Sequence, residues 1–130
     1  MNLGIFKQLR NFTKNNSTKS WLSSHKSDPY VKQAQKHNYR SRSAFKLLQI
    51  DEEHKFLKPN LKILELGSAP GGWTQILLQK SNSAIQHPNI VAIDLLEMKP
   101  LLGVKFIQGN FTNSKNIKQI QAHFSNKKIP

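Results

Sequence analysis

The chain has 130 residues, with Lys+Arg 20 against Asp+Glu 7 and a formal net charge of +13. That length holds at most one domain, or part of one, and the charge argues for a polyanionic partner, most simply nucleic acid, over a merely solvated basic surface. Cysteine is absent, which excludes disulfides and cysteine-based zinc sites; the five histidines are scattered without metal-ligand spacing, so no metal is expected, and no apolar run approaches membrane-spanning length.

Residues 1–27 contain no acidic side chain and carry Lys7, Arg10, Lys14, Lys19 and Lys26. Leu3, Phe6 and Leu9 recur at helical spacing beside Lys7 and Arg10. A basic, amphipathic, acid-free leader over residues 1–20 has the character of a mitochondrial transit peptide. The same composition suits a basic arm that touches RNA phosphates, and location in the cytoplasm of a bacterium is the alternative.

Asp28-Pro29 reads as a helix start, with Asp as N-cap and Pro at the first helical position, opening a short basic helix over Tyr30 to His37. Ser41 is expected to cap a second helix running to about His54, with Ala44, Leu47, Leu48 and Ile50 on its apolar side. A turn at Leu57 to Asn60 precedes a strand at Ile63 to Leu66, and a helix spans Thr74 to Gln79. Strands are expected at Ile90 to Asp94 and Val104 to Gln108, and an amphipathic helix at Ser114 to Phe124. This alternation predicts a parallel, doubly wound α/β sheet.

Between the first strand and its helix lies Gly67-Ser68-Ala69-Pro70-Gly71-Gly72-Trp73. Glycines let backbone approach a ligand, and amides at a helix start favour electronegative atoms. Gly67 and Gly72 have P-loop spacing, but Trp73 stands where the phosphate-binding lysine belongs. Ala69 stands at the second glycine of a dinucleotide fingerprint. A nucleoside-like cofactor without phosphates fits better than a triphosphate or pyrophosphate. Ligands of such sheets sit beyond the carboxyl ends of the strands. There Asp94 is placed to accept hydrogen bonds from ribose hydroxyls, and Asn110 to bond an adenine edge. Taken alone, Asp94 is as well explained as a strand-end or capping residue; alignment with the other two strand ends favours a ligand role.

Upstream, Arg42 and Lys46 are four residues apart and share a helix face, where like charges repel by a few tenths of a kcal/mol. An anion between them would remove that penalty, and Lys36 and Arg40 extend the positive surface. Residues 1–50 hold half of the Lys+Arg but one acid, Asp28. Lys36, Arg40 and Arg42 are therefore read as an RNA-facing surface.

Trp21-Leu22, Asp28-Pro29-Tyr30-Val31, Tyr39-Arg40-Ser41-Arg42-Ser43-Ala44-Phe45-Lys46-Leu47 and Leu66-Gly67-Ser68-Ala69-Pro70-Gly71-Gly72-Trp73 together resemble the FtsJ/RrmJ family of S-adenosylmethionine-dependent ribosomal RNA ribose 2′-O-methyltransferases. The segments Asp94 to Pro100 and Gly103 to Phe111 continue the likeness, which covers about Trp21 to Phe111 and is closest to the mitochondrial branch. It implies a Rossmann-like methyltransferase fold, of which residues 21–130 hold the N-terminal part with the first three strands. It also implies S-adenosylmethionine as cofactor, held by Pro70, Gly71, Gly72, Trp73, Asp94 and Asn110, and large-subunit ribosomal RNA or the large ribosomal subunit as partner. Asn110 stands where bacterial members carry Asp beside adenine, and Glu65 where Asp is common.

Lys46 matches the first lysine of the family's Lys-Asp-Lys catalytic set. A ribose hydroxyl must lose its proton as it attacks the methyl group, and a desolvated lysine can hold the hydroxyl and accept that proton. The catalytic Asp of a Ser-Asp-Met-Ala-Pro-like motif and the second lysine have no counterpart among the 130 residues. The chain alone is therefore expected to transfer little or no methyl, and its first strand to form an exposed apolar edge. The rival reading is a non-catalytic basic RNA-binding or ribosome-assembly module.

Overall fold

The structure, a computed structural model, describes residues 28–125. The basic leader expected over residues 1–20 and the tail 126–130 lie outside the described residues. Seven elements follow in order: α1 (Pro29–Lys36), α2 (Ser43–His54), β1 (Ile63–Leu66), α3 (Gly72–Ser81), β2 (Ile90–Asp94), β3 (Val104–Gln108) and α4 (Ser114–Ser125). The strands form one parallel sheet in the order β1-β2-β3.

The start of α1 follows from its sequence. Asp28 accepts the backbone N–H of Tyr30 at 2.8 Å, and Pro29 occupies the first turn, where a missing N–H costs nothing. The cap expected from Ser41 does not form. Helix α2 begins at Ser43, Arg42 precedes it with helical backbone angles, and no side chain caps it. The Ser41 hydroxyl lies 2.6 Å from that of Ser43 instead, because its own residue is packed onto Gly72. At the other end of α2, buried Asp51 accepts the Leu57 N–H at 2.8 Å and pairs with Lys80 of α3 at 3.8 Å.

Strand register divides the core between the two faces of the sheet. Ile63, Ile90 and Val104 lie in one row and pack with Ala44, Leu47, Ile76 and Leu77 of α2 and α3. The alternate residues Leu64, Val91, Leu66, Ile93 and Ile107 pack with Ile120 and Phe124 of α4. The result is helix, sheet, helix, as a parallel sheet with both faces covered requires. Strand β2 is central and buried along Ile90 to Ile93, which explains its continuous apolar run.

Strand β1 pairs on one side only among the described residues. Beside that open edge, Leu64, Leu66, Phe111, Ile117, Ile120 and Gln121 line a shallow, largely apolar cavity of about 280 Å³. Among the described residues β1 is thus an edge strand as expected, but its Ile63, Leu64 and Leu66 are half-buried and not exposed. Lys62, just before β1, donates to the Phe124 carbonyl at 3.1 Å and fastens the end of α4 next to it.

Candidate functional site

All three strands point the same way, so their carboxyl ends meet at one edge of the sheet. The ladder runs on past β1 and β3: Gly67 N–H donates to the Ile93 carbonyl at 2.8 Å, and Gly109 N–H to the Asp94 carbonyl at 2.8 Å. Gly67 turns the chain with φ 77° and Gly71 with φ 114°, angles that side chains resist.

Asp94 organises this edge. One carboxylate oxygen accepts the Ala69 N–H at 2.9 Å and the other the Leu96 N–H at 3.0 Å. The carboxylate therefore joins the turn after β1 to the segment after β2. Two carboxylate oxygens offer about four lone-pair directions, so two remain for a ligand. The exposed Leu95 and Leu96 follow it directly. Beneath, Glu65 on β1 is 4% exposed and accepts the Thr74 hydroxyl at 2.6 Å. Burial pushes its carboxyl up from the usual 4.5 to about 7; the Thr74 hydrogen bond opposes the shift and the Asp94 charge adds to it. In the same turn the Ser68 hydroxyl is buried and has no hydrogen-bond partner among the described residues.

The two adjacent glycines are needed for packing within the chain. A Cβ on Gly72 would lie 2.1 Å from the Ser41 hydroxyl oxygen, and one on Gly71 3.0 Å from an Arg40 nitrogen and 3.1 Å from the Met98 sulfur. Trp73 donates its indole N–H to the Ser43 carbonyl at 2.8 Å. The turn is thereby joined to the first turn of α2, the helix that carries Lys46. Pro70 is exposed, and its carbonyl accepts from Arg40 at 3.2 Å.

Three sequence expectations change here. Asn110, expected to bond an adenine edge, already accepts the Thr112 N–H at 2.9 Å and hydroxyl at 2.7 Å with its Oδ1. Its Nδ2 donors are what it can offer a ligand. Arg42 is ion-paired with Asp28, so the anion that relieves the Arg42–Lys46 repulsion is the only acid of the first fifty residues. Arg40, half-buried at the surface, donates its guanidinium N–H groups to backbone carbonyls of Pro70, Lys99 and Pro100. Lys36, expected to face RNA, and Lys46, expected to be catalytic, are both exposed.

The burial of Glu65 against Thr74 and the contacts of Arg40 with this edge were not legible in the sequence. The one available signal was Glu65 itself, an acid inside the apolar run Ile63-Leu64-Glu65-Leu66.

Residues 39–129 match the family described as FtsJ-like methyltransferase. The chain belongs to the FtsJ-like methyltransferase family. The matched range contains the whole strand-end edge, from Arg40 to Asn110. The chain is 42% identical over 117 residues to a protein called ribosomal RNA large subunit methyltransferase E in Francisella tularensis subsp. tularensis, covering 90% of this chain and 55% of that protein. It is 47% identical over 106 residues to a protein of the same name in Rhizobium meliloti, covering 79% of this chain and 43% of that one. The chain thus spans about half the length of the curated FtsJ-like relatives it matches. Among solved structures, a ribosomal RNA methyltransferase from Plasmodium falciparum is 37% identical, with a TM-score of 0.49 over 59% of this chain and 41% of that chain.

Proposed function

We propose that this protein serves the S-adenosylmethionine-dependent methylation of a ribose 2′-hydroxyl in large-subunit ribosomal RNA, contributing the cofactor-binding edge and the first lysine of the reaction. The observation that carries the reading is the position of Asp94. It braces the Gly67–Trp73 turn through Ala69 and keeps two lone-pair directions free at the strand ends, where ligands of parallel sheets bind. The relatives' shared name, ribosomal RNA large subunit methyltransferase E, supports the substrate class.

The residues present fit the cofactor. Asp94 would accept from ribose hydroxyls, the Asn110 Nδ2 donors would meet the base edge, and exposed Leu95 and Leu96 offer apolar cover. When bound, S-adenosylmethionine supplies an electrophilic methyl group on a sulfonium. Lys46 would hold the attacking hydroxyl from the exposed side of α2, and Lys36 would sit against RNA phosphate. Positioning of the two reactants accounts for much of the rate in such a transfer.

Calorimetric titration of the 130-residue chain with S-adenosylmethionine tests this reading. Saturable binding is expected. No binding, with RNA affinity retained, would replace it with a basic RNA-binding module. RNA affinity should fall steeply between about 50 and about 200 mM salt through counterion release. With labelled cofactor and undermodified ribosomal RNA, little or no transfer is expected from these residues alone, since the catalytic Asp and second lysine have no counterpart among them; robust turnover would refute that expectation. The acid-free basic leader supports a mitochondrial location. A reporter fused behind residues 1–27 should enter mitochondria, and a reporter left in the cytosol would dismiss it.

A further inference from the structure

We propose that Arg40 is a positioning residue for the cofactor crevice, a strut between its two walls, and that it is not an RNA contact. The guanidinium reaches both walls. Its Nη1 donates to the Pro70 carbonyl at 3.2 Å on the Gly67–Trp73 turn and to the Lys99 carbonyl at 2.7 Å, and its Nη2 donates to the Pro100 carbonyl at 3.2 Å. Lys99 and Pro100 end the segment that begins at Asp94. That carboxylate already joins the same two walls from the other end, through Ala69 and Leu96. Asp94 and Arg40 therefore close a ring: turn, Asp94, segment 95–100, Arg40, turn. Met98, buried inside the ring, brings its sulfur to 3.1 Å from the place a Gly71 Cβ would occupy.

The strut is itself fixed. The Arg40 backbone N–H donates to Gln75 Oε1 at 2.8 Å, and Gln75 Nε2 donates to the Asn38 carbonyl at 3.1 Å, so α3 holds the base of the side chain. A planar guanidinium can serve three carbonyls at once with a fixed geometry, which the single ammonium of lysine cannot. Three of its five N–H donors are committed to these carbonyls. The guanidinium stays at the surface and bridges the two walls of the crevice there, setting its width before any ligand arrives. Apparent affinity scales with the fraction of molecules whose crevice is already open to the right width. Loosening the ring therefore weakens the ligand without removing any group that touches it.

This inference rests on the cofactor reading given above. The test compares the full chain with its Arg40→Ala, Arg40→Lys and Lys118→Ala variants; Lys118 is an exposed control on α4. S-adenosylmethionine affinity, RNA affinity against salt, and amide exchange at Ala69 and Leu96 are measured for each. Arg40→Ala should weaken cofactor binding about tenfold, as a tenfold fall in the competent fraction requires. Exchange at Ala69 and Leu96 should quicken while β2 stays protected, and the salt slope of RNA binding should not change. Arg40→Lys should move the same readouts in the same direction by less, and it carries the test if the alanine variant does not fold. Unchanged cofactor affinity with a salt slope reduced by about 0.7–0.9, the signature of one lost phosphate contact, would overturn the proposal. If the unmodified chain binds no cofactor, the functional reading fails by itself; unaltered exchange at Ala69 and Leu96 in Arg40→Lys would then dismiss the strut as well.

Discussion

Glu65→Gln should make the fold less sensitive to pH, and the sign can be worked from one side chain. In the unfolded chain this carboxyl ionises near 4.5, and in the fold near 7. Between those values the folded protein holds a proton that the unfolded chain has released, so rising pH favours unfolding. The loss begins near pH 4.5 and is complete above pH 7, and the separation corresponds to about 3 kcal/mol. That is a large share of the roughly 5–15 kcal/mol by which domains are stable. Glutamine keeps an oxygen to accept the Thr74 hydroxyl but has no charge to bury. Urea unfolding of both proteins at about pH 5 and about pH 8 reads the effect directly. The variant should be close to wild type at the lower pH and more stable by about 3 kcal/mol at the higher. Every other side chain is common to both proteins and cancels in the difference. A stability difference that is the same at both pH values would refute the assignment of the buried charge to Glu65.

Gly72→Ala forces a methyl group against the Ser41 hydroxyl and should cost about 1–3 kcal/mol as overpacking; Ser41→Ala in the same chain should recover most of it, as read from denaturant midpoints. Trp73→Phe leaves the Ser43 carbonyl without its indole donor, and a loss of about 1–2 kcal/mol is expected in the same measurement. Asp94→Asn removes the charge that holds Ala69 and Leu96. Cofactor affinity by calorimetry should drop about tenfold or more for a lost charge-assisted bond, and the Glu65 titration followed by carboxyl NMR should move down, since the Asp94 charge helps to raise it.

The elements were readable because their signals are local. Apolar runs ending in Asp94 and Leu66, the Asp28-Pro29 start and the glycine-rich turn each declare themselves within a few residues, and every expected strand is found where it was placed. What failed depends on partners far along the chain. Ser41 carries a good capping side chain, yet Gly72, 31 positions later, takes its place in the packing. Arg42 looked unpaired because its acid lies 14 residues upstream, across a break between helices. The bracing contacts of Arg40 could not be read because its acceptors are backbone carbonyls 30 to 60 residues away, and carbonyls leave no mark in a sequence. Asn110 was legible as a strand-end polar group but not as a side chain already turned back onto Thr112. The position of the site could thus be read, while the assignment of each polar side chain to ligand or to protein could not.

The indole bond from Trp73 to Ser43 has a consequence for how two reactants would meet. It ties the Gly67–Trp73 turn to the first turn of the helix bearing Lys46, so under the proposed function the methyl donor and that lysine would meet a ribose together. Under the function proposed above, the RNA would have to bring its nucleotide to this pair, and the deformability of the substrate would become part of what is recognised.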